Sequence, residues 1–115
     1  MSVLSEVETL LTTVANLFIG SMPSTSDNVV CLYNTGGYAR SMSGTFVEEP
    51  TFQVMVRNTS YEAGEALCET IAALLHGKST THLLMVEQQS EVLDLGRDEN
   101  SRSEFSIKFR CYYRK

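Results

Sequence analysis

The sequence has no tryptophan, two prolines and three cysteines among its 115 residues. Cys31, Cys68 and Cys111 are far apart and form no Cys-x-x-Cys pair, so neither a disulfide framework nor a zinc ribbon is indicated. Each lies among apolar neighbours, which favours a buried, reduced thiol in a cytosolic protein. No apolar run approaches the length of about 18 residues needed to cross a membrane, and no signal peptide is recognisable.

Basic residues are also few. Nine Lys and Arg against 14 Asp and Glu give a formal net charge of −5. Binding to nucleic-acid phosphates needs an excess of positive charge on one face, so DNA or RNA is not expected as the main partner, although DNA could pass nearby without being held. The 43% apolar and 20% charged content is that of an ordinary globular protein. We predict a single domain over residues 1–115.

No group of residues has the spacing of a catalytic or metal site. His76 and His82 lack a third ligand at motif spacing, so zinc is not indicated. Cys68 and His76 would be more than two helical turns apart, roughly 12 Å, which is too far for a nucleophile and its base. Glu48 and Glu49 are adjacent in a predicted strand and point to opposite faces. We therefore predict no catalytic residues, no cofactor and no metal.

Two helices are predicted from apolar spacing. Apolar residues recur at steps of three and four from Val3 to Phe18, with Ser2 as a possible cap and Gly20 as the stop. The second helix covers Tyr61–His76, with a capping box formed by Thr59 and Glu62 and a glycine stop after its last residue.

The last segment alternates strictly and predicts a half-buried strand. One face carries Phe105, Ile107, Phe109, Cys111 and Tyr113, and the other carries Glu104, Ser106, Lys108, Arg110, Tyr112 and Arg114. Further strands are predicted near 29–33, 51–58, 82–88 and 91–95, with a turn at Asn34–Gly37 and a break in pairing at Pro50. The expected fold is α+β, a mainly antiparallel sheet of about five strands with two helices packed on one face.

Two charged surfaces indicate self-association. The second helix exposes Glu62, Glu65 and Glu69, and the open face of the last strand carries Lys108 and Arg110. A chain with one acidic and one basic surface can bind copies of itself head to tail, and such contacts can close into rings. We predict that Lys108 and Arg110 of one subunit meet the helical glutamates of the next.

The turn before the last strand contains Arg97, Asp98, Glu99 and Arg102. One interpretation is a solvated hairpin loop. The other is an ion-pair clasp, in which Asp98 or Glu99 pairs with Arg102 or with a neighbouring subunit. A single exposed ion pair contributes little to stability, about 0–1 kcal/mol. Repeated around a ring, such pairs could set the register between subunits.

Several short segments, in this order and spacing, carry a family resemblance. They are Phe18-Ile19-Gly20-Ser21-Met22-Pro23, Asp27-Asn28 before a Val-rich strand, Thr35-Gly36-Gly37, Pro50-Thr51-Phe52-Gln53-Val54-Met55-Val56-Arg57, Ser60-Tyr61, Leu75-His76-Gly77, and Leu95-Gly96-Arg97-Asp98-Glu99-Asn100 with Arg102. With them, the chain resembles the small minor capsid or tail-terminator proteins of bacteriophages with long, non-contractile tails.

The resemblance implies a structural virion protein rather than an enzyme. It implies a sheet covered by helices and a hexameric ring at the head-proximal end of the tail tube, assembled in the host cytoplasm. The ring would end tube polymerisation and join the tail-tube protein to the head connector, with DNA passing through its centre and no membrane involved. Alternatives are a head-completion or neck adaptor protein that binds the portal side first, and a small cytosolic ligand-binding domain. Ser21–Asn28 and Tyr38–Gly44 are candidates for segments that order on assembly.

Overall fold

The computed structural model describes residues 3–23, 27–38 and 47–114. The proposed cap Ser2 and most of the segment 38–44 lie outside this range. The elements follow the order α1 (Val3–Leu10), β1 (Leu17–Ile19), β2 (Val29–Tyr38), β3 (Val47–Asn58), α2 (Tyr61–Leu75), β4 (Leu83–Gln88), β5 (Leu93–Arg97) and β6 (Ser103–Arg114).

The strands form one six-stranded sheet in the order β1-β2-β3-β6-β4, with β5 also paired to β6. The first part of β6 pairs with β5 and its later part with β4. The α+β class is confirmed, and the estimate of about five strands is nearly right. The sheet is mixed rather than mainly antiparallel, because β1 runs parallel to β2 while the other pairs are antiparallel.

The prediction of one long first helix is wrong in its second half. Helix α1 ends at Leu10, and Asn16 takes a left-handed conformation with φ 57°. Leu17–Ile19 then form β1, which is held at both ends because Val30 N donates to Asn16 O at 3.0 Å and Gly20 N donates to Leu32 O at 2.9 Å. Pairing with the free edge of β2 overrides the local helical spacing, which is a tertiary effect.

The predicted turn at residues 34–37 is a β-bulge inside β2. The register shifts between Asn34 and Gly36, Gly36 has φ 97°, and its N–H donates to Asn34 Oδ1 at 2.8 Å. Glycine suits this position because it has no Cβ to clash at positive φ. Pro50 stays within β3, but the ladder from β3 to β6 skips Glu49 and Pro50, as expected for a residue that lacks an N–H.

Helix α2 begins at Tyr61 as predicted, but its cap lies one residue later than expected. Ser60, rather than Thr59, caps the helix, since its Oγ accepts from Ala63 N at 3.2 Å. The helix ends as predicted, with His76 as C-cap and Gly77 at φ 76°. His76 also ties the helix to β4, because its Nδ1 accepts from Gln88 N at 3.1 Å.

The alternation predicted for β6 is confirmed. The side chains of its inward face are all buried, in one core with residues of α1, α2 and the neighbouring strands: Phe105, Ile107, Phe109, Cys111 and Tyr113. Phe109 stacks on Phe52 of β3, with ring centroids 5.2 Å apart. All three cysteines are free and buried, as predicted. Neither of the helices described here is long and apolar enough to cross a bilayer.

Candidate functional site

The buried thiols are poor candidates for chemistry. Burial, reinforced for Cys68 by the carboxylates of Glu65 and Glu69, raises the pKa of both Cys68 and Cys111 to about 12. These thiols are therefore protonated at neutral pH and are weak nucleophiles. Within residues 3–23, 27–38 and 47–114, no three His, Cys, Asp or Glu side chains lie close enough to hold a metal ion.

A surface pocket beside α1 also lacks the features of a ligand site. Its volume is about 430 Å³, and its lining is Glu8, Thr9, Leu11, Thr12, Val14 and Leu17. Glu8 is the single ionisable group in that lining. Ligand sites usually combine an apolar lining with several convergent polar groups, so this pocket gives no support to the ligand-binding alternative.

The acidic surface of α2 is formed as its spacing predicts. Glu62, Glu65 and Glu69 are exposed, while Gly64 and Cys68 on the other side of the helix are buried against the sheet. In the described part of the chain, none of these three glutamates forms an ion pair with a lysine or arginine. Their negative charge is therefore directed to solvent.

The open face of β6 is less basic than its own residues suggest. Arg110 Nη1 lies 3.9 Å from Glu49 Oε1 of β3. A side-chain hydrogen bond with Tyr112 and the nearby carboxylates of Glu49 and Glu87 raise the pKa of Arg110, although partial desolvation acts against them. Arg110 is thus held within its own subunit, whereas Lys108 is exposed.

The sheet separates the two charged surfaces. Helix α2 packs on the face of β6 that carries Phe105 and Ile107, and Lys108 projects from the opposite face by strand alternation. The helical glutamates and Lys108 therefore lie on opposite sides of the subunit. The structure does not bring them together, so they can meet only between subunits.

The turn after β5 forms an ion-pair clasp inside the subunit. Arg102 is 5% exposed, and its Nε lies 2.7 Å from Asp98 Oδ2. Asp98 Oδ1 accepts from the backbone N–H groups of Asn100 at 3.0 Å and Arg102 at 2.9 Å. Burial alone would raise the pKa of Asp98, but these hydrogen bonds and the charge of Arg102 lower it.

The clasp includes a residue that the sequence did not identify as part of it. Arg102 Nη1 lies 3.6 Å from Oδ1 of Asp27, two residues before β2. Asp27 is far from Arg102 in sequence, and only sheet pairing brings them together. Arg97 and Glu99 remain exposed, and neither forms an ion pair within the described residues.

Apolar side chains are exposed at two edges of the sheet. Phe18 and Ile19 of β1 are 39% and 41% exposed, and Leu93 and Leu95 of β5 are 56% and 45% exposed. The sequence did not identify these positions, because Phe18 fits a helical stripe and Leu95 was predicted to end an ordinary short strand. Only the sheet topology shows that they lie on outer strands.

Comparison with known proteins agrees with this architecture. Residues 6–115 match a family described as "Bacteriophage tail terminator protein". The fold is also similar to that of a chain in a solved structure titled "Virion of native gene transfer agent (GTA) particle", at 13% sequence identity and a TM-score of 0.67, covering 95% of this chain and 84% of that one. No curated protein matches the chain.

Proposed function

Because this chain belongs to the bacteriophage tail terminator family, we propose that it forms a ring at the head-proximal end of the tail tube. The family makes it a structural, tail-related protein of the virion, and the resemblance to tail terminators is confirmed. In the proposed role the ring ends tube polymerisation and joins the tail to the head connector. We expect a hexamer that assembles in the host cytoplasm.

The separation of charge across the subunit is the observation that carries this proposal. Glu62, Glu65 and Glu69 lie on the helical side, and Lys108 lies on the open side of the sheet. Complementary surfaces on opposite sides of one chain favour head-to-tail association. Such an assembly closes into a ring when a whole number of subunit-to-subunit rotations makes one full turn. The attraction would chiefly steer subunits toward each other and raise the association rate.

The proposed partners are the tail-tube protein on one side of the ring and the head connector on the other. DNA would pass through the centre without being bound. The net charge of −5 supports this part, because an acidic protein gives a polyanion few groups to bind. A net-positive lumen in the assembled ring would contradict it.

Light scattering on the purified protein, alone and with tail-tube protein, tests the proposal. A sixfold mass, or tubes capped at one end by a ring, is the expected result. A monomer that ignores tube protein would overturn it and would favour the alternative of a neck adaptor, for which the portal assembly would be the next partner to test.

Charge reversal tests the steering surfaces. Since Arg110 is engaged with Glu49, Lys108→Glu is the cleaner change. We expect slower ring assembly at low salt, and recovery when Glu65→Lys is added. Lys78→Glu is the matched control, because Lys78 is an exposed lysine in the segment after α2. Equal assembly rates for Lys108→Glu and Lys78→Glu would exclude the proposed steering.

A further inference from the structure

The sheet closes one of its outer edges with its own chain and leaves another open. Along β4, Gly77 N donates to Val86 O at 2.7 Å, Val86 N to Lys78 O at 3.0 Å, and Thr80 N to Leu83 O at 2.8 Å. No comparable backbone bond covers the outer edge of Leu93–Arg97 in the part of the chain that the structure describes. Among residues 3–23, 27–38 and 47–114, β5 is therefore a free edge, and β1 is the free edge at the other end of the sheet.

Both free edges carry exposed apolar side chains, which proteins seldom place on an unpaired strand. The exposed apolar pairs are Phe18 and Ile19 on β1, and Leu93 and Leu95 on β5. Open edges with exposed apolar residues pair readily with other strands, and natural proteins normally protect them with charge, proline or a covering segment. Their presence at both ends of one sheet indicates that each edge is covered in the assembled state.

The strand directions determine how two copies would join. Strands β1, β2 and β6 run one way, and β3 and β5 run the other. A rotation about an axis parallel to the strands preserves these directions, so β5 of one subunit meets β1 of the next in antiparallel orientation. Pairing β5 with β5 would instead need a twofold axis and would stop at a dimer.

The side chains at the two edges also match in face. Phe18 pairs in register with Cys31, and Leu93 pairs with Ser106. By strand alternation both belong to the open face of the sheet, opposite the face that carries Phe105. In a continuous antiparallel sheet Phe18 and Leu93 would lie on one face, where cross-strand apolar pairs stabilise the ladder.

Strand β5 is held ready for such pairing. Its register shifts at a bulge between Asp94 and Gly96, where Gly96 N donates to Asp94 Oδ1 at 2.8 Å. The nearby carboxylate of Asp94 raises the pKa of Tyr61 of α2. The Asp98–Arg102 clasp follows β5 directly. An edge already fixed in its paired conformation loses little conformational entropy on binding.

From these observations we infer that neighbouring subunits join by adding β1 of one copy to β5 of the next, as an antiparallel ladder sealed by Phe18 and Leu93. The inference rests on the proposed ring and names the contact that closes it. In a continuous sheet the helical face of every subunit lies on the same side of the ring, so the charged surfaces of neighbours steer their approach and do not touch in the closed ring. The occupant of each edge is a second copy of this chain, because the same sheet supplies two free edges of suitable direction and matching apolar face.

Substitution at the edge gives the first test. Leu93→Glu should abolish the ring in light scattering and leave monomers, because it places a charge in the proposed ladder. Leu84→Glu is the matched control, since Leu84 is 41% exposed on β4, whose outer edge is already covered. Circular dichroism should show both variants folded. Rings in Leu93→Glu at the wild-type yield would overturn the inference.

Crosslinking gives the second test and separates the contact from the ring. Phe18→Cys with Leu93→Cys in one chain, treated with a short bismaleimide, should give a ladder of covalent oligomers up to the ring size. Each single variant should stay monomeric on a denaturing gel. The native thiols are buried and should not interfere.

The pair Glu65→Cys with Lys108→Cys is the matched comparison, since it reports contact between the two charged surfaces. Rings that crosslink only through this pair would refute the edge contact and leave the proposed function standing. If the wild-type protein forms no ring, alone or with tail-tube protein, the proposed function itself fails. A dimer in the Leu93→Cys single variant would show twofold β5 pairing and also refute the inference.

Discussion

The two faces of strand β6 differ in the interactions that their side chains make. The inward face is made of packed apolar side chains, with Phe109 stacked on Phe52 and Phe105 against Tyr61, ring centroids 5.2 Å apart in each pair. The outward face is polar, and Arg110 lies 3.9 Å from Glu49 with both side chains partly exposed. Burial of apolar area contributes about 25 cal/mol per Å², whereas exposed ion pairs contribute little. Stability therefore comes from the inward face, and the outward face and free edges remain available for partners.

The largest expected effect is on the inward face. Phe105→Ala should lower the free energy of unfolding by about 3–5 kcal/mol, because it removes a fully buried ring and leaves a cavity beneath α2. Urea denaturation followed by circular dichroism measures it. Tyr112→Ala, an aromatic truncation on the outward face of the same strand, is the control and should cost much less. Similar losses for both would contradict the assigned difference between the faces.

A smaller effect is expected where α2 meets this face. A Cβ at Gly64 would lie 2.6 Å from Phe105 Cε2, so the ring would have to move. Helix propensity alone favours alanine over glycine by about 1 kcal/mol, which would make Gly64→Ala stabilising. We expect the opposite, a loss of about 1–3 kcal/mol from overpacking, measured by urea denaturation. A gain in stability would show that Phe105 can shift at little cost.

The clasp at the end of the sheet should appear as a pH effect. The pKa of Asp98 is lowered in the folded state, so its stabilisation is complete above its usual value of 3.8 and is lost as pH falls through the folded value. Asp98→Asn should lower the urea midpoint at pH 7 and flatten its fall in acid. Glu99→Gln, an exposed neighbour, should leave the profile unchanged. Parallel profiles for wild type and Asp98→Asn would refute the role of this carboxylate.

The inward face could be predicted from the sequence because alternation and burial are coupled along a strand. The alternation of β6, the stop of α2 at Gly77 and the exposure of Glu62 followed from local spacing. The parallel strand β1 did not, since Leu17 and Phe18 fit a helix until the free edge of β2 competes for them. The local spacing of apolar residues indicates whether a segment has the period of a helix or of a strand. Which strands lie at the edges of the sheet is determined only when the whole sheet is assembled.

The same limit applies to the charged residues. Sequence spacing brought Asp98 and Arg102 together, but it could not identify Asp27 as their third member or Glu49 as the partner of Arg110. Those contacts join segments that are distant in sequence and adjacent only across strands. The basic surface expected from β6 alone is therefore reduced in the folded chain, where Lys108 remains exposed.

The smallest expected effect is on the outward face. Arg110→Gln should leave the urea midpoint unchanged within error, because the pair with Glu49 is long at 3.9 Å and open to solvent. Arg102→Gln is the contrasting change, since it removes a buried guanidinium bonded to Asp98 at 2.7 Å and should clearly lower the midpoint. Equal losses in the two variants would mean that geometry and burial do not distinguish these pairs. Added salt provides a second check. Salt screens exposed charges more than buried ones, so the larger loss of urea midpoint in Arg102→Gln should persist at high salt.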